Sequence, residues 1–369
     1  MSRAFRKAYN IAEKVFLDYS SGHKKILESI NQESWDPERP EEKMEISKII
    51  LLGVSGGADS LALAAVMSKV VHKHKFKTAA VIVDHQMQIG SDKVAEKAAK
   101  MCKKAGVDYI KKVKVKVNKK LFGPEGSARF ARYNALFNAA SDFKSLSVFL
   151  GHTLNDQAET VLLGLARGSG AAAISGMREQ NGLIFRPFLN ISRSETEEIC
   201  REFDLDYYED PTNGSKEKID ENYPLRSQIR HKLLPVMKDI LGKDIEYQLA
   251  KTAQLIAEDD DALEAFAELD FEDMVLSEPT NDLVKLDVNA LESCPRGISS
   301  RFIKLALDYV SMDMGRLLNA HFEQIFDLIY NFNGQKPINL PRLTVARIAD
   351  ALIFAKTKKT KITKPAKII

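Results

Sequence analysis

From Lys48 onward, short apolar runs alternate with segments whose apolar positions recur every three or four residues. "KIILLGV" is such a run, and "DSLALAAVMSKVVHK" follows it with a helical rhythm. "TAAVIVDH" and "SDKVAEKAAKMCKKAG" repeat the sequence of patterns, as do "DYIKKVKVKV" and "GSARFARYNALFNAASDF". "LSVFLGHT" with "NDQAETVLLGLARGSG", then "LIFRPFL" with "SRSETEEICREFDL", complete the series. Strands alternating with helices predict an α/β fold: a Rossmann-like parallel sheet with helices on both faces. Right-handed crossovers then bring the carboxyl ends of the strands to one rim.

The alternation stops near Asp210. "DPTNGSKEKIDENYP" is a long polar connection, and after "LRSQIRHKLLPVMKDIL" the pattern is mostly helical to about Asn331. A β-like end, "INLPRLTVARIADALIF", precedes a tail with six lysines. Before Lys48 lie an amphipathic helix and a polar loop carrying the single tryptophan, Trp35. The expected organisation is therefore a helical extension at 1–47, an α/β domain at 48–245, a smaller, mainly helical domain at 246–355 and a lysine-rich tail at 356–369.

Composition narrows the class. With 44% hydrophobic and 28% charged residues, the chain reads as an ordinary globular protein. A net charge of only +3 means that a nucleic-acid surface has to be local. Three scattered cysteines without a CxxC pair argue against a disulfide framework or a cysteine zinc site, and for a reducing, cytoplasmic setting. The charged N-terminal segment does not read as a signal peptide.

The chemistry starts at the first strand–helix junction, Ser55-Gly56-Gly57-Ala58-Asp59-Ser60. Two glycines allow a tight turn and a close ligand approach. The helix that follows offers free N–H groups and the positive end of its dipole, a setting for phosphate. Ser55 and Ser60 add hydroxyl donors. Asp59 would repel a bare phosphate, so a cation should accompany the ligand, and Mg²⁺ on a polyphosphate meets that need. Neither GxxxxGK[ST] nor GxGxxG is present, which removes the Walker loop and the dinucleotide fingerprint. A plain strand-to-helix turn is the competing reading.

Other junctions add candidates. Asp84 and His85 end the second strand, where a histidine serves either as a packed group or as a nucleotide partner. Arg129 and Arg132 stand at helical spacing near a helix start, against the dipole, which favours a ligand role over a solvated face. His152 ends the fourth strand. Asp156 and Glu159 lie one turn apart on the next helix, and helix capping is the competing account of Asp156.

The turn resembles the SGGxDS motif of the PP-loop ATP pyrophosphatases, which cleave ATP between the α and β phosphates. Taken in order, SGGADS, the VDH strand end, ARxxRY, GHTxxDQAET with LxRGSG, the RP of "IFRPFL", DPTN and "RSQIRHKLLP" are similar to the tRNA(Ile)-lysidine synthetase family over roughly residues 48 to 240. Gln86, Met87, Gln88 and Ile89 depart from the usual family ending of the second strand. The resemblance implies ATP-dependent ligation of lysine to C2 of the wobble cytidine of tRNA(Ile) with a CAU anticodon, through an adenylated intermediate. ATP with Mg²⁺, free lysine and the tRNA would be its partners, while a homodimer stays open. It implies nucleotide binding by Ser55 to Ser60 with Asp84 and His85, and a metal contact at Asp59. Catalytic roles fall to Asp59, Arg129, Arg132 and His152, and lysine binding to Asp156 and Glu159. RNA contact is expected at Arg226, Arg230, His231 and Lys232, a local basic stretch. A tRNA thiolase, an amide-forming synthetase and a non-catalytic nucleotide binder are the rival readings. Cys102 and Cys200, inside helical patterns, do not suit a thiolase.

Overall fold

A computed structural model describes residues 1–33, 47–86, 90–116, 123–168, 170–209, 223–241, 244–310, 319–340 and 342–357. Trp35, Met87, Gln88, Ile89, Ser169, the DPTN stretch at 210–213 and all but the start of the lysine-rich tail lie outside them. The chain divides into two compact units, Met1–Leu255 and Ile256–Ile369.

The first unit is built on a six-stranded sheet of β1 (Ile49–Val54), β2 (Lys77–Asp84), β3 (Tyr109–Lys114), β4 (Val148–Leu150), β5 (Gln180–Asn181) and β6 (Ile184–Phe185), in the order β3-β2-β1-β4-β6-β5. All pairs are parallel except β5 with β6. The helices are α1 (Arg3–Glu33), α2 (Ala58–Lys73), α3 (Ser91–Lys104), α4 (Gly123–Asp142), α5 (Leu154–Ala166), α6 (Ala171–Ile174) and α7 (Arg193–Glu202).

Strand alternation explains why both faces are covered. Ile50, Leu52 and Val54 of β1, with Ala80 and Ile82 of β2, join one core that includes α1, α2 and α3. Leu51, Ala79 and Val81 point the other way, onto Leu136, Ala139 and Ala140 of α4. Successive strand residues face opposite sides, so near-continuous apolar runs are what a doubly covered parallel sheet requires. The edge strand β3 has only half-buried and exposed positions, in keeping with its lysines.

The N-terminal helix belongs to this unit. Phe5, Val15, Phe16 and Tyr19 of α1 are buried, and α1 packs on α2 and α7. Lys7 pairs with Glu195 at 2.8 Å, and the backbone N–H of Ser2 donates to Glu202 at 3.0 Å, so α1 is tied to α7 by charge as well.

The second unit carries a four-stranded antiparallel sheet, β7 (Leu283–Asp287), β8 (Ile338–Leu340), β9 (Leu343–Ile348) and β10 (Ala351–Lys356), in the order β7-β10-β9-β8. Phe302, Ile303 and Leu307 of the helix Arg296–Val310 pack on Val284, Leu286 and Phe354 in one core. The β-like end of the sequence thus forms three of the four strands. The fourth, β7, stands in a stretch read as helical: five residues hold little periodicity, and the partner β10 that stabilises them lies far along the chain. Among the described residues, no helix is long and apolar enough to cross a membrane.

Candidate active site

Strand order places the site. β1 lies between β2, on the side reached first by the chain, and β4, reached later, so their carboxyl ends border the crevice at which the chain's course reverses. A cavity of about 540 Å³ opens there, bordered by the Ser55–Ser60 turn, the end of β2 and the β4–α5 junction.

Two glycines are required by geometry. Gly56 has φ +91°, a left-handed conformation that L side chains rarely adopt. A Cβ on Gly151 would come within 2.8 Å of the Asp59 carbonyl oxygen, so the junction after β4 can touch the start of α2 only without a side chain. Gly57 differs: it has ordinary dihedrals, caps α2, and a Cβ there would meet nothing closer than 3.6 Å.

The two serines are not equivalent. Ser60 is buried; its hydroxyl donates to the Gly57 carbonyl at 2.9 Å and accepts from the Ser55 N–H at 3.2 Å. It braces the turn. Ser55 is exposed and borders the cavity, with only longer hydroxyl contacts of 3.2 Å to Ser60 Oγ and 3.4 Å from the Gly57 N–H. The N–H groups at the start of α2 have no intrahelical acceptors. A further anchor, absent from the sequence reading, is the Tyr208 N–H, which donates to the Gly56 carbonyl at 2.9 Å.

Asp59 borders the cavity and is held by α7. Thr196 Oγ1 donates to its Oδ1 at 2.5 Å, and Arg193 Nη1 stands 3.6 Å from its Oδ2. Burial raises the Asp59 carboxyl to about 6, although Thr196 and Arg193 pull it back. Arg193 and Thr196 escaped sequence reading because they contact Asp59 from more than 130 residues away; the only available signal was the Ser192–Glu195 capping pattern that starts α7.

At the end of β2, the buried Asp84 carboxylate accepts the Gln86 N–H at 2.9 Å, where Gln86 takes φ +53°. Asp84 thus shapes the loop with one oxygen while it borders the cavity. His85 borders the cavity, its buried Nδ1 has no hydrogen-bond partner among the described residues, and burial lowers its pKa.

Arg132 borders the cavity from α4, whereas Arg129 is exposed. Their guanidinium carbons lie 5.8 and 4.9 Å from the centre of the Tyr133 ring. Burial is the main influence on Arg132 and acts to lower its pKa. His152, just after β4, is pushed down to about 4 by burial, against the opposing pull of Asp156; its Nδ1 is buried without a partner among the described residues. His152 is therefore a neutral imidazole near pH 7.

The acids of α5 have taken partners. The Asp156 Oδ2 accepts the Thr153 N–H at 2.8 Å and closes the helix start as a capping box. Its Oδ1 lies 3.6 Å from Arg230 Nη2. Glu159 is fully buried, its Oε1 accepts from Arg230 Nε at 2.6 Å, and its Oε2 has no partner among the described residues. Burial pushes the Glu159 carboxyl up and Arg230 pulls it back. Arg230 was expected on an RNA-facing surface. The structure turns it onto α5 instead, from within a π turn, Ile229–Leu233, that interrupts the helical stretch. Arg226 and His231 are half-buried there and Lys232 is exposed.

Cys200 lies behind the turn, its Sγ donating to the Ala58 carbonyl at 3.3 Å, and burial pushes its thiol to about 12. Cys102 is also buried and pushed to about 12. Among the described residues, no group of three metal-ligating side chains stands together.

The sequence of residues 25–237 matches the family model for a PP-loop domain. The chain is 38% identical over 307 residues to the tRNA(Ile)-lysidine synthase of Leifsonia xyli, covering 83% of this chain and 89% of that one. It is 36% identical over 306 residues to the enzyme of that name from Thermobifida fusca, covering 83% and 91%. It is 38% identical over 302 residues to that from Streptomyces coelicolor, covering 81% and 82%. Among solved structures, a U34-tRNA thiolase from Methanococcus maripaludis aligns over 57% of this chain and 72% of its own, at 16% identity and a TM-score of 0.47.

Proposed function

The chain belongs to the tRNA(Ile)-lysidine synthases, within the PP-loop class, and from that premise we propose how its residues divide the work of an ATP-dependent C–N ligase. Its substrates are ATP, free lysine and tRNA(Ile) with a CAU anticodon. The C2 carbonyl oxygen of the wobble cytidine attacks the α phosphorus of ATP and pyrophosphate leaves. An amine of lysine then adds at C2, loses a proton, and AMP departs.

The observation that carries this reading is the strand-end cavity, with the Ser55–Ser60 turn on one side and the half-exposed Asp59 carboxylate beside it. Gly57, where a Cβ would crowd nothing in the protein, keeps the backbone open to phosphate. Ser55 offers its hydroxyl, and the first N–H groups of α2 point toward the departing pyrophosphate. The donor set suits Mg²⁺ carried in with ATP: Asp59 has one oxygen held by Thr196 and the other only loosely engaged, in a setting that under-compensates its charge. Asp59 would hold that ion, which supplies charge neutralisation along the polyphosphate.

Arg132 faces the α phosphate and the adenylated base from the opposite side of the cavity, and the more exposed Arg129 meets the RNA backbone. His152 and His85 are neutral imidazoles that orient the base or nucleotide through hydrogen bonds; a pKa near 4 makes His152 a weak base. Asp156 and Glu159 receive lysine's ammonium. The unpartnered Oε2 of Glu159 and the loosely held Oδ1 of Asp156 are the acceptors, and Arg230 orients both acids. Arg226, His231 and Lys232 remain the RNA-contact candidates of that stretch. Positioning carries most of the rate.

The test is incubation with ATP, labelled lysine and total bacterial tRNA. The expected result is label on tRNA(Ile) with a CAU anticodon, with one AMP and one pyrophosphate released per lysine. Pyrophosphate release without lysine incorporation would overturn the assignment.

A further inference from the structure

Arg193 is a cation in an unfavourable place that the assignments above leave without a task of its own. It opens α7, where the helix dipole disfavours positive charge. Its position is nevertheless fixed. Its backbone N–H donates to Asn155 Oδ1 at 2.9 Å, which ties the start of α7 to the start of α5. Its Nε donates to Glu197 Oε1 at 3.3 Å, which sets the side-chain direction. Together with Arg132 it supplies the guanidinium groups that border the cavity among the described residues. The two arrive from opposite faces of the sheet, Arg132 on α4 and Arg193 on α7.

The outer edge of this guanidinium is not saturated. Nη1 is 3.6 Å from Asp59 Oδ2, beyond hydrogen-bond distance, and Nη2 has no partner among the described residues. Were Arg193 there only to neutralise Asp59, a closed, bidentate pair would be the expected geometry. Instead Thr196 makes the short contact to Asp59, and the arginine stands back with its fork facing the cavity.

We propose that Arg193 is a substrate-binding residue for the β and γ phosphates of ATP, its fork engaging the phosphoryl oxygens beside Asp59 and releasing with pyrophosphate. The proposal rests on the reading of this cavity as the ATP site. Asn155 and Glu197 act as positioning residues that hold the fork in place.

The experiment compares the full-length protein with R193Q and R193K by calorimetric binding of ATP, inorganic pyrophosphate and AMP, all with Mg²⁺. A bidentate charge-assisted contact to phosphate makes R193Q bind ATP and pyrophosphate roughly 10- to 100-fold more weakly while AMP changes less than about 2-fold. R193K should recover only part of the loss, since an ammonium keeps the charge without the fork. Unchanged ATP affinity in R193Q overturns the proposal, as does an equal loss for all three ligands, which would mark a role in holding Asp59 or α7. Wild-type protein that binds neither ATP nor pyrophosphate would overturn the ATP reading itself, and this proposal with it.

Discussion

Asp59 and Glu159 sit near the same sheet rim and are both displaced upward by burial, yet they are held in opposite ways. Asp59 is anchored by a neutral hydroxyl at 2.5 Å and meets its arginine only at 3.6 Å, with its outer oxygen toward a cavity. Glu159 is fully buried and locked to Arg230 at 2.6 Å. A loosely paired carboxylate beside a cavity retains charge for an incoming cation. A closed pair under low dielectric is costly to disturb, and it leaves Glu159 only its second oxygen, Oε2, for a ligand. The difference separates an acid that faces an open cavity from one that can take a ligand only in a desolvated setting.

The largest effect should come from breaking the closed pair. Arg230→Met leaves Glu159 uncompensated and should destabilise the fold by about 3–5 kcal/mol, read as a denaturant midpoint at pH 7. Adding Glu159→Gln to it should return part of that loss. A single variant as stable as wild type would mean that the pair is not closed in solution. Asp59→Asn should behave conversely: by removing a charge that burial disfavours, it should gain up to about 3 kcal/mol at pH 7 while adenylation is lost. Loss of both stability and activity would show that Asp59 is a structural ion-pair partner after all.

The pH dependence sharpens the same contrast, at about 2 kcal/mol. Folded His152 titrates near 4 and unfolded His152 near 6.5. Between those values the unfolded chain binds more protons, so the contribution of His152 is complete above 6.5 and is lost as pH falls through 4. Asp59 has the opposite sign. Its folded carboxyl keeps a proton up to about 6 and its unfolded one only to 3.8, so its contribution is lost as pH rises through 6. Stability measured from pH 4 to 7 should therefore rise more steeply with pH in Asp59→Asn than in wild type, and lose slope in His152→Gln. Parallel curves would contradict the two burial effects. The smallest expected effect is on thiol labelling: Cys200, behind the Asp59 turn, and Cys102 should resist iodoacetamide at pH 8, because burial holds both thiols near 12, whereas the half-buried Cys294 reacts first. Rapid labelling of Cys200 would show that the turn opens.

What could be read from the sequence is what is local. The SGGADS junction announces itself because strand, turn glycine and helix start are contiguous. Thr153 with Asp156 forms a capping box three residues wide, and the structure contains it. What could not be read is what the fold brings together from afar. Thr196 reaches Asp59 across 137 residues and Arg230 reaches Glu159 across 71, and neither pair leaves a periodic trace. Arg230 also lies within a π turn, which no spacing rule foretells. Asp84 shows the same limit: a carboxylate at a strand end suits a ligand or a loop equally well from sequence, and the contact of its Oδ1 to the Gln86 N–H appears only in the fold.

Rapid-quench single turnovers separate the work of the two acids. With ATP, tRNA and labelled lysine, formation of adenylated tRNA and transfer of lysine are timed separately in Asp59→Asn and in Glu159→Gln, each checked for a native melting transition. Asp59→Asn should fail at adenylation. Glu159→Gln should adenylate near the wild-type rate but require far more lysine, since losing a desolvated carboxylate–ammonium contact costs roughly 2–5 kcal/mol. If both steps fall together in Glu159→Gln, the closed pair serves ATP, and the proposed lysine site is wrong.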